Sequence, residues 1–266
     1  MFILDPVNAV TSIQFYKKVA AQSFQRSVVY LLYLASLFTV AALVFTWLRI
    51  VPPFTELMEW MAQKVPPITF GDGKVTSATD TPYIVRHPSF PDFGVMIDTT
   101  RTDPVTPQMM EESKVRVYVT GNAMYLINRP GRVEVNDLSK TQGPPMQLGP
   151  QFFREFAKIF PIVLYAFMAA LAFMGFLIWR TLATLLYWLI ASLLNTSMGA
   201  GLGPEALASI AVYGQTLPVL LFIILLFSPA GLPGMTMLTA GLVITTGYMA
   251  LAIGAARKEP VPPSAD

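Results

Sequence analysis

No cysteine occurs among the 266 residues, and there is a single histidine, His87. The first absence excludes disulfides, thiolate nucleophiles, iron–sulfur clusters and cysteine-type zinc sites. The second leaves no pair of imidazoles for a metal site and no base for a triad with visible partners. Beside Pro88 in a polar loop, His87 reads as an ordinary solvated or hydrogen-bonding side chain. Charge is scarce as well: Asp, Glu, Lys and Arg make up 13% of the chain, about half the share of a soluble domain. The net charge of +2 comes with no long basic run, so no nucleic-acid partner is expected. The long apolar runs contain no acidic residue, which argues against a carboxylate proton relay and against a di-aspartyl intramembrane protease. No catalytic, cofactor-binding or metal-binding residues are expected.

What the chain has in quantity is apolar length, with 54% hydrophobic residues and a mean hydropathy of +0.54. Crossing the roughly 30 Å hydrocarbon core takes about 20 apolar residues as a helix. Three runs meet this requirement, 28–48, 159–179 and 207–227, and a fourth, 235–256, is richer in Gly and Thr but uncharged. Residues 181–195 are apolar over only about 14 positions, with no Gly or Pro to turn the chain after Arg180, and read as an interfacial or re-entrant helix. Four spans are expected, and five only if that stretch crosses. The leader, 1–27, is polar and amphipathic, and the first run is too long for a cleaved signal peptide, so 28–48 is a signal anchor.

Lys17, Lys18 and Arg26 precede the anchor, and Arg257 and Lys258 open the tail, 257–266. The positive-inside rule then puts both termini in the cytoplasm and residues 49–158 outside it. Within that segment a helix is expected around Phe54, Leu57, Met58 and Met61. After Pro66-Pro67 the period changes to two: about seven short strands follow, the first pair joined at Asp72-Gly73, a strong hairpin signal. Lipid does not tolerate open sheet edges, so these strands belong to a β-rich extracytoplasmic domain, a small meander or sandwich. Asp72, Asp80, Asp92, Asp98 and Asp103 lack calcium-loop spacing and read as turn residues; "IDTT", 97–100, reads as a cap. Glu111 and Glu112 read as part of a solvated helix.

In the membrane half, Tyr213, Gln215 and Thr216 stand just before Pro218, a helix-kinking residue. They form the one polar intramembrane cluster and read as helix glue or as the lining of a cavity. Trp179 and Arg180 read as an interface anchor. "GAGLGPEA", 199–206, resembles a phosphate loop in composition only, without the Lys-Ser/Thr pair. Glycines 234, 241, 247 and 254 permit close helix packing or homo-oligomer contact through the fourth span.

Several stretches together resemble an uncharacterised family of bacterial multi-pass membrane proteins, domain of unknown function 1189. They are "FYKKVAAQSFQRSVVYLLYL", "PPITFGDGKVTSATDTPYIV", "MIDTT", "FFREFAKIFPIVLYAFM", "FLIWR" and "AVYGQTLP", in this order along the chain. The segments 101–114 and 199–203 fall outside the resemblance. What the resemblance implies is a distant relation to Yip-type membrane proteins and an accessory or scaffold role, with no agreed activity. The expected function is therefore a non-enzymatic inner-membrane subunit that binds an envelope or membrane-protein partner through its exported domain and helices. The alternatives are a small-solute transporter or channel component and, third, an enzyme acting on lipid or cell wall.

Overall fold

The structure is a computed structural model that describes residues 2–90, 93–129, 132–139, 144–228 and 234–257. Two compact units divide the chain. One comprises residues 1–47 and 165–266 and is helical; the other comprises 48–164 and holds the strands. Four helices are long and apolar enough to cross a membrane: Phe24–Lys64, Pro150–Met198, Pro204–Leu226 and Thr236–Ala256. The β-sheets lie in sequence between the first and the second.

In the helical unit the leader folds into α1 (Asp5–Thr11) and α2 (Phe15–Ala21), followed by α3 (Phe24–Phe45). A π-helical turn, Thr46–Ile50, joins α3 to α4 (Val51–Lys64). The wide turn has a cause in the sequence: Pro52 and Pro53 have no N–H to give back to the preceding turn, so the helix changes register just ahead of them.

Helix α6 runs unbroken from Pro150 to Met198, 49 residues, or about 73 Å at 1.5 Å per residue. The separate interfacial or re-entrant helix expected at 181–195 is instead its C-terminal portion. Nothing at Arg180 and Thr181 stops a helix, and the Thr184 hydroxyl donates to the Arg180 carbonyl inside the same turn. The stop comes at Gly199, whose φ of 59° lets Ala200 N donate to the Asn195 carbonyl, a left-handed C-terminal cap. Asn195 then holds the following loop, accepting from Leu202 N and donating to Leu202 O. Capping thus accounts for the glycine-rich 199–203 stretch.

The third apolar run is two abutting helices, α7 (Pro204–Gly214) and α8 (Thr216–Leu226), with Gln215 between them. Pro218 cannot donate to the Gly214 carbonyl four residues back, which is where the ladder breaks. Helix α9 (Gly234–Ala256) completes the unit. The core gathers on α7: Leu207, Ile210, Ala211, Val212 and Tyr213 are buried with Tyr16 and Val19 of α2, Tyr30 and Leu34 of α3, Ala191 of α6 and Met249, Ala252 and Ile253 of α9.

The β-rich unit begins with α4 and a hairpin, β1 (Ile68–Gly71) and β2 (Lys74–Ser77). Its turn residues, Asp72 (φ 50°) and Gly73 (φ 73°), both take positive φ, the type I′ geometry that matches strand twist. The remaining strands are β3 (Tyr83–Arg86), β4 (Gly94–Asp98), β5 (Val117–Thr120), β6 (Ala123–Arg129), β7 (Arg132–Asp137) and β8 (Met146–Leu148). They form two sheets, β2-β1-β8 and β3-β4-β5-β6-β7. The expected meander or sandwich is modified in one respect: β4 and β5 are parallel, joined through the short helix α5 (Pro107–Glu112), which Thr106 caps by accepting from Met109 N. Helix α5 contains Glu111 and Glu112, both exposed.

Period-2 alternation divides the five-stranded sheet between two cores. Val95, Ile97 and Val119 pack with Met58, Trp60 and Ala62 of α4, Ile68, Val75 and Phe153. Tyr118, Ala123 and Tyr125 face the other way, toward Met110 of α5 and Val115.

Candidate functional site

The polar cluster at the α7–α8 junction is assembled by the break itself. Gln215 leaves the helical ladder, and its buried side chain reaches two elements. Its Nε2 donates to Thr184 Oγ1 at 2.8 Å and to the Ala211 carbonyl at 3.0 Å, and its Oε1 accepts from Arg180 Nη1 at 3.5 Å. Thr216 Oγ1 donates to the Tyr213 carbonyl at 2.6 Å. With that one proton in use, the 2.8 Å contact between Tyr30 and Thr216 has the Tyr30 hydroxyl as donor. The Tyr30 and Tyr213 rings stack at 3.9 Å and 4°, and Phe15 meets Tyr213 edge-on. Asp5, Gln22 and Arg26 lie within electrostatic reach of the Tyr213 hydroxyl.

Arg180 and Trp179, neighbours in sequence, diverge. Trp179 is exposed, whereas the Arg180 guanidinium turns to Gln215 and lies 5.5 Å from the Phe176 ring centroid. Sequence reasoning found Tyr213, Gln215, Thr216 and Pro218 but missed Tyr30 and Thr184. A phenol inside an uncharged apolar run was the available signal for Tyr30; nothing marked Thr184.

Of the topology charges, Lys17 and Lys18 are exposed on α2 and Arg26 is half-buried. The Arg257 side chain lies beside Gly199, at the end of α6, and Lys258 falls outside the described residues. Of the fourth-span glycines, Gly241 faces Pro218 and Gly254 faces Met198, while Gly247 has nothing within 4 Å of where a Cβ would stand.

The β-rich unit carries a cleft of about 480 Å³ lined by Pro53, Phe54, Leu57, Ser89, Phe90, Phe93 and Arg116. That size and lining, mostly apolar with few polar groups, is typical of ligand or side-chain pockets. Helix α4 supplies one wall and the segment after β3 the other. His87 sits behind that second wall and is 2% exposed, so of the two expected roles, solvated or hydrogen-bonding, it takes the hydrogen-bonding one. Its Nδ1 accepts from both Ser89 N and Phe90 N at 3.1 Å, and its ring lies against Trp60 and Phe90.

Three aspartates of this unit serve turns, Asp72 in the β1–β2 hairpin and Asp98 and Asp137 at strand ends. Asp98 Oδ1 accepts from Thr100, and Asp137 Oδ1 from Ser139; Asp92 lies outside the described residues. Burial, then the nearby Asp98 carboxylate, pushes the Tyr118 phenol above its ordinary range. Among the described residues, no three His, Asp or Glu side chains converge as a metal site.

Residues 7–253 match the family described as "Protein of unknown function (DUF1189)". The chain belongs to that family. The matched range runs from α1 to α9, so the polar cluster and the aromatic cleft of this DUF1189 protein both lie within the family's extent. No curated protein and no solved structure matches the chain.

Proposed function

We propose that this DUF1189 protein is a non-catalytic, multi-pass inner-membrane accessory or scaffold subunit. In this reading α3 is a signal anchor, both termini are cytoplasmic, and the β-rich unit is exported and holds a membrane or envelope protein. The observation that carries it is the cleft, where Phe54, Leu57, Phe90 and Phe93 offer an aromatic and aliphatic lining that also includes Ser89 and Arg116. Such a surface suits an apolar side chain of a partner with a polar group beside it. The polar cluster supports a scaffold more than a conduit. Gln215 and Thr216 spend their hydrogen-bonding capacity on Thr184, Ala211, Arg180, Tyr30 and Tyr213, which stitches helices together where a transport path would need those groups turned toward solute.

The test is cross-linking followed by purification of the tagged protein in mild detergent, with mass spectrometry of whatever accompanies it. The wild type is expected to bring down a stoichiometric membrane or envelope protein, and Phe90→Ser, at an exposed position, to lose it. Recovery of the chain alone, or of the same protein with Phe90→Ser, would overturn the assignment of the cleft.

A further inference from the structure

We propose that two copies of this protein pair through the outer face of α6, parallel and side by side, with the backbones coming nearest at Gly175. The inference rests on α6 crossing a membrane and is independent of the cleft.

Helix α6 is the most weakly covered element of the helical unit. Of the four helices long and apolar enough to cross a membrane it is the least buried: 11% of its apolar stretch is buried, against 22%, 50% and 22% in the others. Its inner face carries Phe176, Tyr187 and Ala191 into the core. On the opposite face Phe167, Leu171, Ile178, Leu182, Leu189 and Leu193 are each more than half exposed. No charge interrupts that stripe. Arg180, the one charged residue between Ile159 and Gly203, turns inward to Gln215.

Lipid tails alone do not cover the length of the stripe. From Phe167 to Leu193 it runs about 39 Å at 1.5 Å per residue, whereas a hydrocarbon core of about 30 Å meets only about 32 Å of a helix at the usual 20° tilt. The remainder would face water or headgroups, where a row of leucines is disfavoured. What covers it must itself be uncharged and apolar over more than a membrane's thickness. The chain offers such an element in α6 itself.

Two copies inserted with the same orientation are related by a two-fold axis along the membrane normal, so their α6 helices run parallel and each level meets itself. The contact is then leucine on leucine, with no charge to mismatch. The spacing suits a long seam: Leu171, Leu182 and Leu193 stand eleven residues apart, as do Phe167, Ile178 and Leu189. An 11-residue period keeps one face toward a partner helix with only a slight right-handed twist.

Gly175 marks the closest approach. It stands four residues after Leu171 and three before Ile178, hence on the same face. It is exposed, and a Cβ placed on it would meet nothing within 4 Å. Within one chain that missing side chain serves no packing; between two helices in lipid, it is what lets backbones approach. On α9, Gly241 and Gly254 face Pro218 and Met198 of the same chain, which leaves Gly247, four residues after Val243, as the rival contact.

A chain without cysteine makes the test direct. Leu171→Cys, Ile178→Cys and Leu182→Cys are introduced one at a time into the full-length protein and oxidised in the membrane, with Val243→Cys, exposed on α9, for comparison. The α6 positions are expected to give disulfide-linked dimers in about tenfold higher yield than Val243→Cys. Gly175→Leu, added to each, is expected to bring that yield down to the level of Val243→Cys. Its side chain enters open space, so the single chain is expected to keep its denaturation midpoint in detergent. Equal yields at all four positions, a dominant product through Val243→Cys, or a dimer that survives Gly175→Leu would each overturn the proposal. Should Gly175→Leu fail to fold, the pattern of the cysteine series decides alone. Release of the chain from membranes by alkaline carbonate would overturn the membrane reading instead, and the Phe90→Ser purification tests the cleft alone.

Discussion

In the helical unit the outward side chains are apolar and a buried layer is polar; in the β-rich unit the usual order returns. Leu182, Leu189 and Leu193 on α6 are each more than half exposed, while Tyr30, Gln215 and Thr216 are buried and bonded to one another or to helix backbone. The strands instead send alternate residues such as Val95, Ile97 and Tyr118 into two cores and place charges such as Arg86, Arg116 and Glu134 outside. An exposed stripe of leucine is stable only in a solvent that does not penalise it, and in such a solvent polar contacts are what distinguish inside from outside. The two units thus distribute polarity in opposite senses, and the helical one holds helices long and apolar enough to cross a membrane.

The largest effect expected on this contrast comes from Tyr213→Ala. Tyr213 is fully buried, stacked on Tyr30 and edged by Phe15, and truncation should cost the helical unit about 3–5 kcal/mol, read by denaturation in detergent micelles. A result near zero would mean that the stack is not a keystone of the bundle. In the β-rich unit the comparable weak point is backbone geometry. Gly73→Ala forces a Cβ onto a residue at φ 73° and within 2.5 Å of the Ser139 carbonyl; a loss of about 1–3 kcal/mol is expected, with perturbed β1 and β2 amide signals. Tyr30→Phe is the smallest and most specific change. It deletes the hydroxyl that donates to Thr216 and should cost only about 0.6 kcal/mol, the average for such bonds inside membrane proteins. A cost several times larger would show that the cluster acts as one cooperative network.

These differences also explain how much was legible in the sequence. The apolar runs, the Asp72-Gly73 hairpin and the amphipathic α4 were readable because each rests on local period or on one turn's chemistry. One helix boundary and two strand pairings were not. Residues 181–195 were set apart because Arg180 interrupts the hydropathy, yet an arginine does not interrupt a helix; its charge is absorbed by Gln215 and Phe176, partners that only the fold supplies. The β4–β5 parallel pairing and the joining of β8 to β1 depend on long-range contacts that carry no local period. At the candidate site, Gln215 and Thr216 were visible as polar residues beside a proline. The burial of His87 was hidden, because a histidine next to a proline looks the same whether water or Trp60 surrounds it.

One contact bears on how the protein is made. The Tyr248 hydroxyl donates to the Val10 carbonyl at 2.8 Å, across 238 positions of sequence, and α2 packs on both α7 and α9. The segment synthesised early therefore packs on elements synthesised late. That packing leaves Tyr16 and Val19 of α2 without exposed surface. Docking of α1 and α2 thus reports assembly of α7 and α9 beneath them: a chain lacking α9 is expected to be cut more readily near Phe15.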